Sequence, residues 1–191
     1  MGRLTPKFSW LLNSRDKSPH ISLIEQIANM LQPRVYLEIG VYRCATFNRV
    51  AKHSGQAIAV DIDDEALKFA KGSNVSKVSG SVEAVMPLLE AHKGNLDLVF
   101  IDGDHRIEAL RKDFESITPY MSLNGMILIH DTWPKTAEFA ADGYCSNSYL
   151  FPDELSRQTQ RTWSAVTIPV HPGLTLVSRT GILPPWCSSK V

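Results

Sequence analysis

The chain has 191 residues, of which 20 are Lys or Arg and 20 are Asp or Glu, so its formal net charge is zero at pH 7. That length supports one domain with a substantial core and is short for two. The balanced charge gives no field to steer the protein to nucleic acid or an anionic membrane. No apolar run approaches the ~20 residues that span a bilayer, and the N-terminal stretch has no signal-peptide core. Cys44, Cys145 and Cys187 lie far apart with no CxxC pair. They argue for a reducing compartment, by default the cytoplasm, and against a disulfide framework or zinc knuckle.

Residues 1–20 read as a lead-in. Ile24, Ile27, Ala28 and Leu31 form a helical stripe, closed by Pro33. The run from Val35 to Ile39 is a strand that carries Glu38 and meets Gly40, and a helix over 46–52 follows it. Gly40 lets a ligand approach the backbone closely. Glu38 can accept hydrogen bonds from that ligand or simply hold the turn. A second strand ends at Asp61, about twenty residues after the glycine, the spacing at which a βαβ unit sets a carboxylate on a ribose. Arg43, Cys44 and Ala45 crowd the place where a dinucleotide fingerprint carries more glycines. A nucleoside without a pyrophosphate therefore fits better.

The segment 64–72 has acids first, lysines last and a closing glycine, which predicts a helix. A short strand over 75–78 precedes Ser81, a cap for a helix through Val82, Val85, Met86, Leu88 and Leu89, with Pro87 blurring its bounds. The fourth strand ends at Asp102. Ile107, Leu110, Phe114 and Ile117 then mark an amphipathic helix, and Asn124-Gly125 turns into a fifth strand ending at His130-Asp131. Near-continuous apolar strands alternating with helices predict a parallel sheet covered on both faces. Residues 132–149 read as a loop or short helices over a site, 152–160 as a helix, and 163–168 with 174–177 as a closing hairpin. The tail from Gly181 reads as loose. There are no repeats, so 1–191 is taken as a single domain.

In a parallel sheet the strand ends share one edge, where open α/β folds bind ligands. Glu38, Asp61, Asp102 and the pair His130-Asp131 therefore converge. Asp102, Asp104, His105, His130 and Asp131 offer donors suited to Mg²⁺, Mn²⁺ or Ca²⁺. The plainer alternative makes Asp104 and Asp131 helix caps and His105 a first-turn residue. His20, His53, His92 and His171 have no partner visible in sequence and read as surface or packing residues. Trp133, Tyr144 and Tyr149 fit either a substrate lid or hydrophobic packing.

These residues resemble the class I S-adenosylmethionine-dependent methyltransferases, and more narrowly the small-molecule and sugar O-methyltransferases that include macrolide-sugar and rhamnosyl enzymes. The resemblance runs from Tyr36 to Trp133. It rests on the Leu-Glu-Ile-Gly turn, the Val-Asp of strand two, Phe-Ile-Asp-Gly-Asp-His, and Ile-His-Asp-Thr after the Asn-Gly turn. The resemblance implies a Rossmann-like α/β fold with a seven-stranded, mostly parallel sheet and an antiparallel C-terminal hairpin. It implies S-adenosylmethionine as cofactor, with Glu38 and Gly40 by its methionine part, Asp61 on the ribose, and Gly80 and Ser81 by the adenine. Thr46, Ile62 and Asp102 complete the implied cofactor contacts. Asp102, His130 and Asp131 are the implied ligands of a divalent cation, Mg²⁺ or Mn²⁺, and His105 the general base.

Two departures stand out: Cys44 and Ala45 occupy positions where relatives carry glycines, and His130 one where relatives often carry an acid. The implied activity is O-methylation of a small-molecule or glycan hydroxyl, with no nucleic-acid or membrane partner and a homo-oligomer left open. A non-catalytic, regulatory cofactor-binding protein is the alternative. A nicotinamide-dependent oxidoreductase is disfavoured by the missing glycines.

Overall fold

A computed structural model of the chain describes residues 19–158 and 162–181. The lead-in up to Ser18 and the tail after Gly181 lie outside these residues. Seven strands form one sheet in the order β3-β2-β1-β4-β5-β7-β6. Strands β1 (Val35–Ile39), β2 (Gln56–Asp61), β3 (Val75–Ser79), β4 (Leu96–Ile101) and β5 (Met121–His130) run parallel. Strand β7 (Leu174–Arg179) is antiparallel both to β5 and to its hairpin partner β6 (Trp163–Ile168). This is the Rossmann-like mixed sheet expected from the alternation of apolar runs and helical stripes.

The pleat divides β1 between two cores. Leu37 and Ile39 join Val85, Leu89, Leu110 and Phe114, which come from α4 (Val82–Ala91) and α5 (Ile107–Ile117). Tyr36 joins Ile24, Ile27, Phe47 and Val50 on the other face, from α1 (Pro19–Leu31) and α2 (Phe47–Val50). Each fully buried Leu, Ile or Phe contributes about 1.5–3 kcal/mol, so the two-sided burial rigidifies the strands that present the site. The remaining helices are α3 (Asp64–Leu67) and α6 (Phe151–Ser156). No helix among the described residues is long and apolar enough to cross a membrane.

Two local features differ from the sequence reading. Helix α3 stops at Leu67 instead of running to Gly72, because the Asn48 side chain binds the Phe69 carbonyl and the Lys71 N–H, each at 2.9 Å. Those are backbone groups that a longer helix would have used itself. Asn124-Gly125 lies within β5 rather than before it: Leu96 pairs with Met121 and Leu98 with Met126, so the intervening residues bulge. The segment from 132 onward, expected as a loop or short helices, holds two short 3₁₀ turns, Ala137–Ala140 and Ser148–Leu150.

Candidate active site

The turn after β1 is built around Gly40. Its φ is +84°, and a Cβ there would lie 2.6 Å from the Cα of Gly103, inside the van der Waals limit. Glycine is therefore obligatory where the β1 and β4 ends meet. Beyond it, Tyr42 (φ 46°) and Cys44 (φ 55°) also take the left-handed conformation. Cys44 does so at one of the positions where the sequence departs from glycine, at a cost of roughly 1–2 kcal/mol. Asp61 holds this turn in place. One carboxylate oxygen accepts from the N–H groups of Val41 (2.9 Å) and Tyr42 (3.0 Å), the other from Asp63 N–H (2.9 Å). A carboxylate has about four lone-pair sites, so capacity for a ligand hydroxyl remains.

Above these turns lies a cavity of about 900 Å³, at the upper end of typical small-molecule sites. Its lining includes Gly40, Asp61, Ile62, Gly80, Ser81 and Asp102, six of the residues expected to contact a cofactor. Ile62 is 83% exposed, an apolar surface free to cover a flat ligand. Glu38 and Thr46 are buried and do not belong to this lining. Glu38 accepts a hydrogen bond from the Tyr36 hydroxyl on the same face of β1. Burial pushes its carboxyl well above the usual range, with Asp102 and Asp61 adding to the shift and the Tyr36 bond opposing it.

Asp102 also belongs to a second constellation. Its Oδ1 lies 2.7 Å from His130 Nδ1 and 3.7 Å from His105 Nε2. His105 Nε2 is 2.9 Å from Asp131 Oδ2, and His105 Nδ1 donates to the Tyr144 carbonyl. That second bond fixes the ring so that Nε2 faces the carboxylates. Although burial disfavours charge on both imidazoles, Asp102 and Asp131 raise His105 to about 10 and His130 to about 9. Asp131 is likewise buried, yet the two histidines hold its carboxyl well below the usual range. Cys145 Sγ sits 3.5 Å from Asp131 Oδ1, and burial beside that carboxylate pushes the thiol up to about 12.

Asp102, His105 and Asp131 each offer a donor atom within 4.8 Å of the others. His130 turns its other nitrogen away, 3.2 Å from His20 Nδ1, with the two rings 4.0 Å apart. His20 was read from sequence as a surface or packing residue. Only folding brings α1 against the end of β5, so no local pattern marks it. His53, likewise without a visible partner, lies 4.0 Å from Glu25.

A family model described as a methyltransferase domain matches residues 37–132. The chain belongs to this methyltransferase family. The matched span begins inside β1 and ends just after Asp131, so the methyltransferase domain contains every strand end that builds the cavity and the histidine–carboxylate cluster. A curated relative, an uncharacterized protein of Acanthamoeba polyphaga mimivirus, is 26% identical over 129 residues. That match covers 59% of this chain and 58% of the relative, so the chain spans less than two thirds of the relative's length.

Among solved structures, the O-methyltransferase TomG of Streptomyces achromogenes, in complex with S-adenosylmethionine, has a TM-score of 0.69 at 17% identity, covering 85% of this chain and 80% of that one. An O-methyltransferase of Bacillus cereus, in complex with S-adenosylhomocysteine, has a TM-score of 0.70 at 17% identity, covering 93% and 94%. At these identities the likeness is one of fold.

Proposed function

We propose that this methyltransferase transfers the methyl group of S-adenosylmethionine to a hydroxyl of a small molecule or sugar in the cytoplasm. The observation that carries the reading is the double membership of Asp102, which lines the cavity and also pairs with His130 in the cluster. A cofactor seated in the cavity would therefore present its reactive end beside a charged, proton-handling centre. The cavity's charge supports the same cofactor. Asp61, Asp63, Glu83, Asp102, Asp104, Glu108 and Asp113 line it against Arg106 and Lys112. Such an acidic wall suits a sulfonium cation and disfavours the pyrophosphate of a nicotinamide dinucleotide. Gly40 bears on the same site, since its missing Cβ lets the β1 turn close against the Asp102–Gly103 backbone, and all three residues line the cavity.

The donor set of two carboxylates and one imidazole fits a divalent cation such as Mg²⁺ or Mn²⁺. Asp102 and Asp131 would hold it, and His130, hydrogen-bonded to Asp102, would orient that ligand. When bound, S-adenosylmethionine supplies an activated methyl group, and the cation a positive charge that makes an acceptor hydroxyl more acidic. With a cation held by Asp102 and Asp131, the carboxylates that keep the His105 imidazole charged would be taken up, leaving Nε2 free to receive the hydroxyl proton while Nδ1 is committed to the Tyr144 carbonyl. Alignment of acceptor and methyl donor by the rigid strand ends can supply about 7–11 kcal/mol of the barrier in favourable cases.

The test is methyl transfer from isotopically labelled S-adenosylmethionine to a panel of hydroxylated small molecules and glycosides, with Mg²⁺ and after chelation. Cation-dependent labelling of a hydroxyl is the expected result. A protein that binds the cofactor and labels none of the panel would favour the regulatory alternative.

A further inference from the structure

Helix α1 lies before the matched span of residues 37–132, yet its first turn reaches the histidine–carboxylate cluster. The inner stripe of α1 is apolar at Ile24, Ile27 and Ala28. His20 continues that stripe one turn earlier, at the i, i+4 spacing from Ile24. Where the helix meets the carboxyl end of β5, the stripe thus ends in an imidazole.

The His130 ring is held from three sides. Nδ1 faces carboxylate oxygens, Asp102 Oδ1 at 2.7 Å and Asp131 Oδ2 at 3.3 Å, so this nitrogen carries a hydrogen. Nε2 lies 3.2 Å from His20 Nδ1, within hydrogen-bond reach. Phe100 packs edge-on against the ring, with centroids 5.9 Å apart. Only 10% of the His130 side chain is exposed. Turning this ring over would place carbon where each nitrogen now bonds, Cδ2 for Nδ1 and Cε1 for Nε2. Two bonds at opposite ends of the ring therefore fix its orientation. With one bond removed, a buried nitrogen loses its partner and the preference weakens.

We infer that His20 is a positioning residue of the candidate active site, acting through His130 to hold the Asp102 carboxylate in one pose. The inference rests on the reading that Asp102 serves a bound cation. Asp102 lines the cavity and also belongs to the donor set with His105 and Asp131, so one pose has to suit both. Outer partners of a ligating carboxylate set its geometry in this way. The segment ahead of the matched domain thereby contributes a side chain to the site.

The experiment compares wild type with His20→Phe and His20→Asn. Phenylalanine keeps the bulk of the ring and has no bonding nitrogen, whereas the asparagine amide can reach the place of Nδ1 and keep the bond. Two readouts are taken: the ring N–H resonance of His130 in the ¹⁵N-labelled, cation-free protein, and Mn²⁺ affinity by titration. His20→Phe should broaden or lose the resonance and weaken Mn²⁺ by about tenfold, the lower end of what outer partners contribute. His20→Asn should recover both. A contact that served packing alone would reverse the order, with His20→Phe matching wild type and His20→Asn falling short. That order, or no difference between the two variants, would overturn the inference. Wild-type protein that takes up no Mn²⁺ would overturn the cation reading alone, and the His130 resonance would still decide the role of His20.

Discussion

His105 Nε2 lies 2.9 Å from Asp131 Oδ2, although the two residues enter from the ends of different strands, β4 and β5. Asp131 reaches this position with a φ of 59°, a conformation that costs a non-glycine residue roughly 1–2 kcal/mol. Strain held at a charged, half-open cluster points to function. The pair therefore separates the two roles open to His105. As a proton acceptor, His105→Ala should lower turnover by ~10²–10⁴-fold while cation and cofactor affinities stay close to wild type. Asp131→Asn should instead weaken cation binding, read by titration with Mn²⁺. If His105→Ala loses cation affinity as fully as Asp131→Asn, the imidazole is a ligand and not the base.

The same pair predicts how stability follows pH in the cation-free protein. His105 and His130 have folded values of about 10 and about 9, above the ~6.5 of an unfolded imidazole. Their contribution is complete below about pH 6.5 and is lost as pH rises through 9 to 10. Asp131, held low, contributes above the ordinary carboxylate range and loses that contribution on acidification. The melting temperature in a chelator should thus be highest near pH 5–6 and fall by roughly 5 °C or more by pH 10. A flat profile from pH 6 to 10 would show that the histidine–carboxylate pairs carry no net stability.

Gly40→Ala offers the sharpest test of the turn. The added methyl group would meet the backbone of Asp102 and Gly103, and the φ of +84° would strain any L residue. The substitution should lower the melting temperature and abolish detectable cofactor binding together. Gly103→Ala is the control, because its Cβ meets Ile39 atoms only at 3.6 Å, an ordinary contact. Equal loss in both variants would place the defect in folding in general and not in the β1 turn.

Much of this arrangement was legible in the sequence because it follows from periodicity. Val35–Ile39 and Leu96–Ile101, each broken by a single acid (Glu38 and Asp97), and the apolar end of β5 are near-continuous apolar runs, as buried parallel strands tend to be. Strand-end acids such as Asp61 and Asp102 then share an edge by topology alone. Tertiary exchanges were not legible. The Asn48 side chain ends α3 from another element, and nothing in residues 64–72 marks that. Likewise, a bulge in β5 absorbs the Asn124-Gly125 signal. His20 joins His130 across 110 residues of sequence, and Glu38 turns to Tyr36 instead of the cavity lining. Pairings between distant elements leave no local pattern.

The most direct test of the central claim is calorimetric titration of the purified protein with S-adenosylmethionine, with and without Mg²⁺, against NAD as control. Binding of S-adenosylmethionine with no response to NAD is the predicted result. No binding, or a preference for NAD, would contradict the reading of the β1 turn and of the acid-lined cavity, and the roles assigned to Asp102, His105 and Asp131 would fall with it.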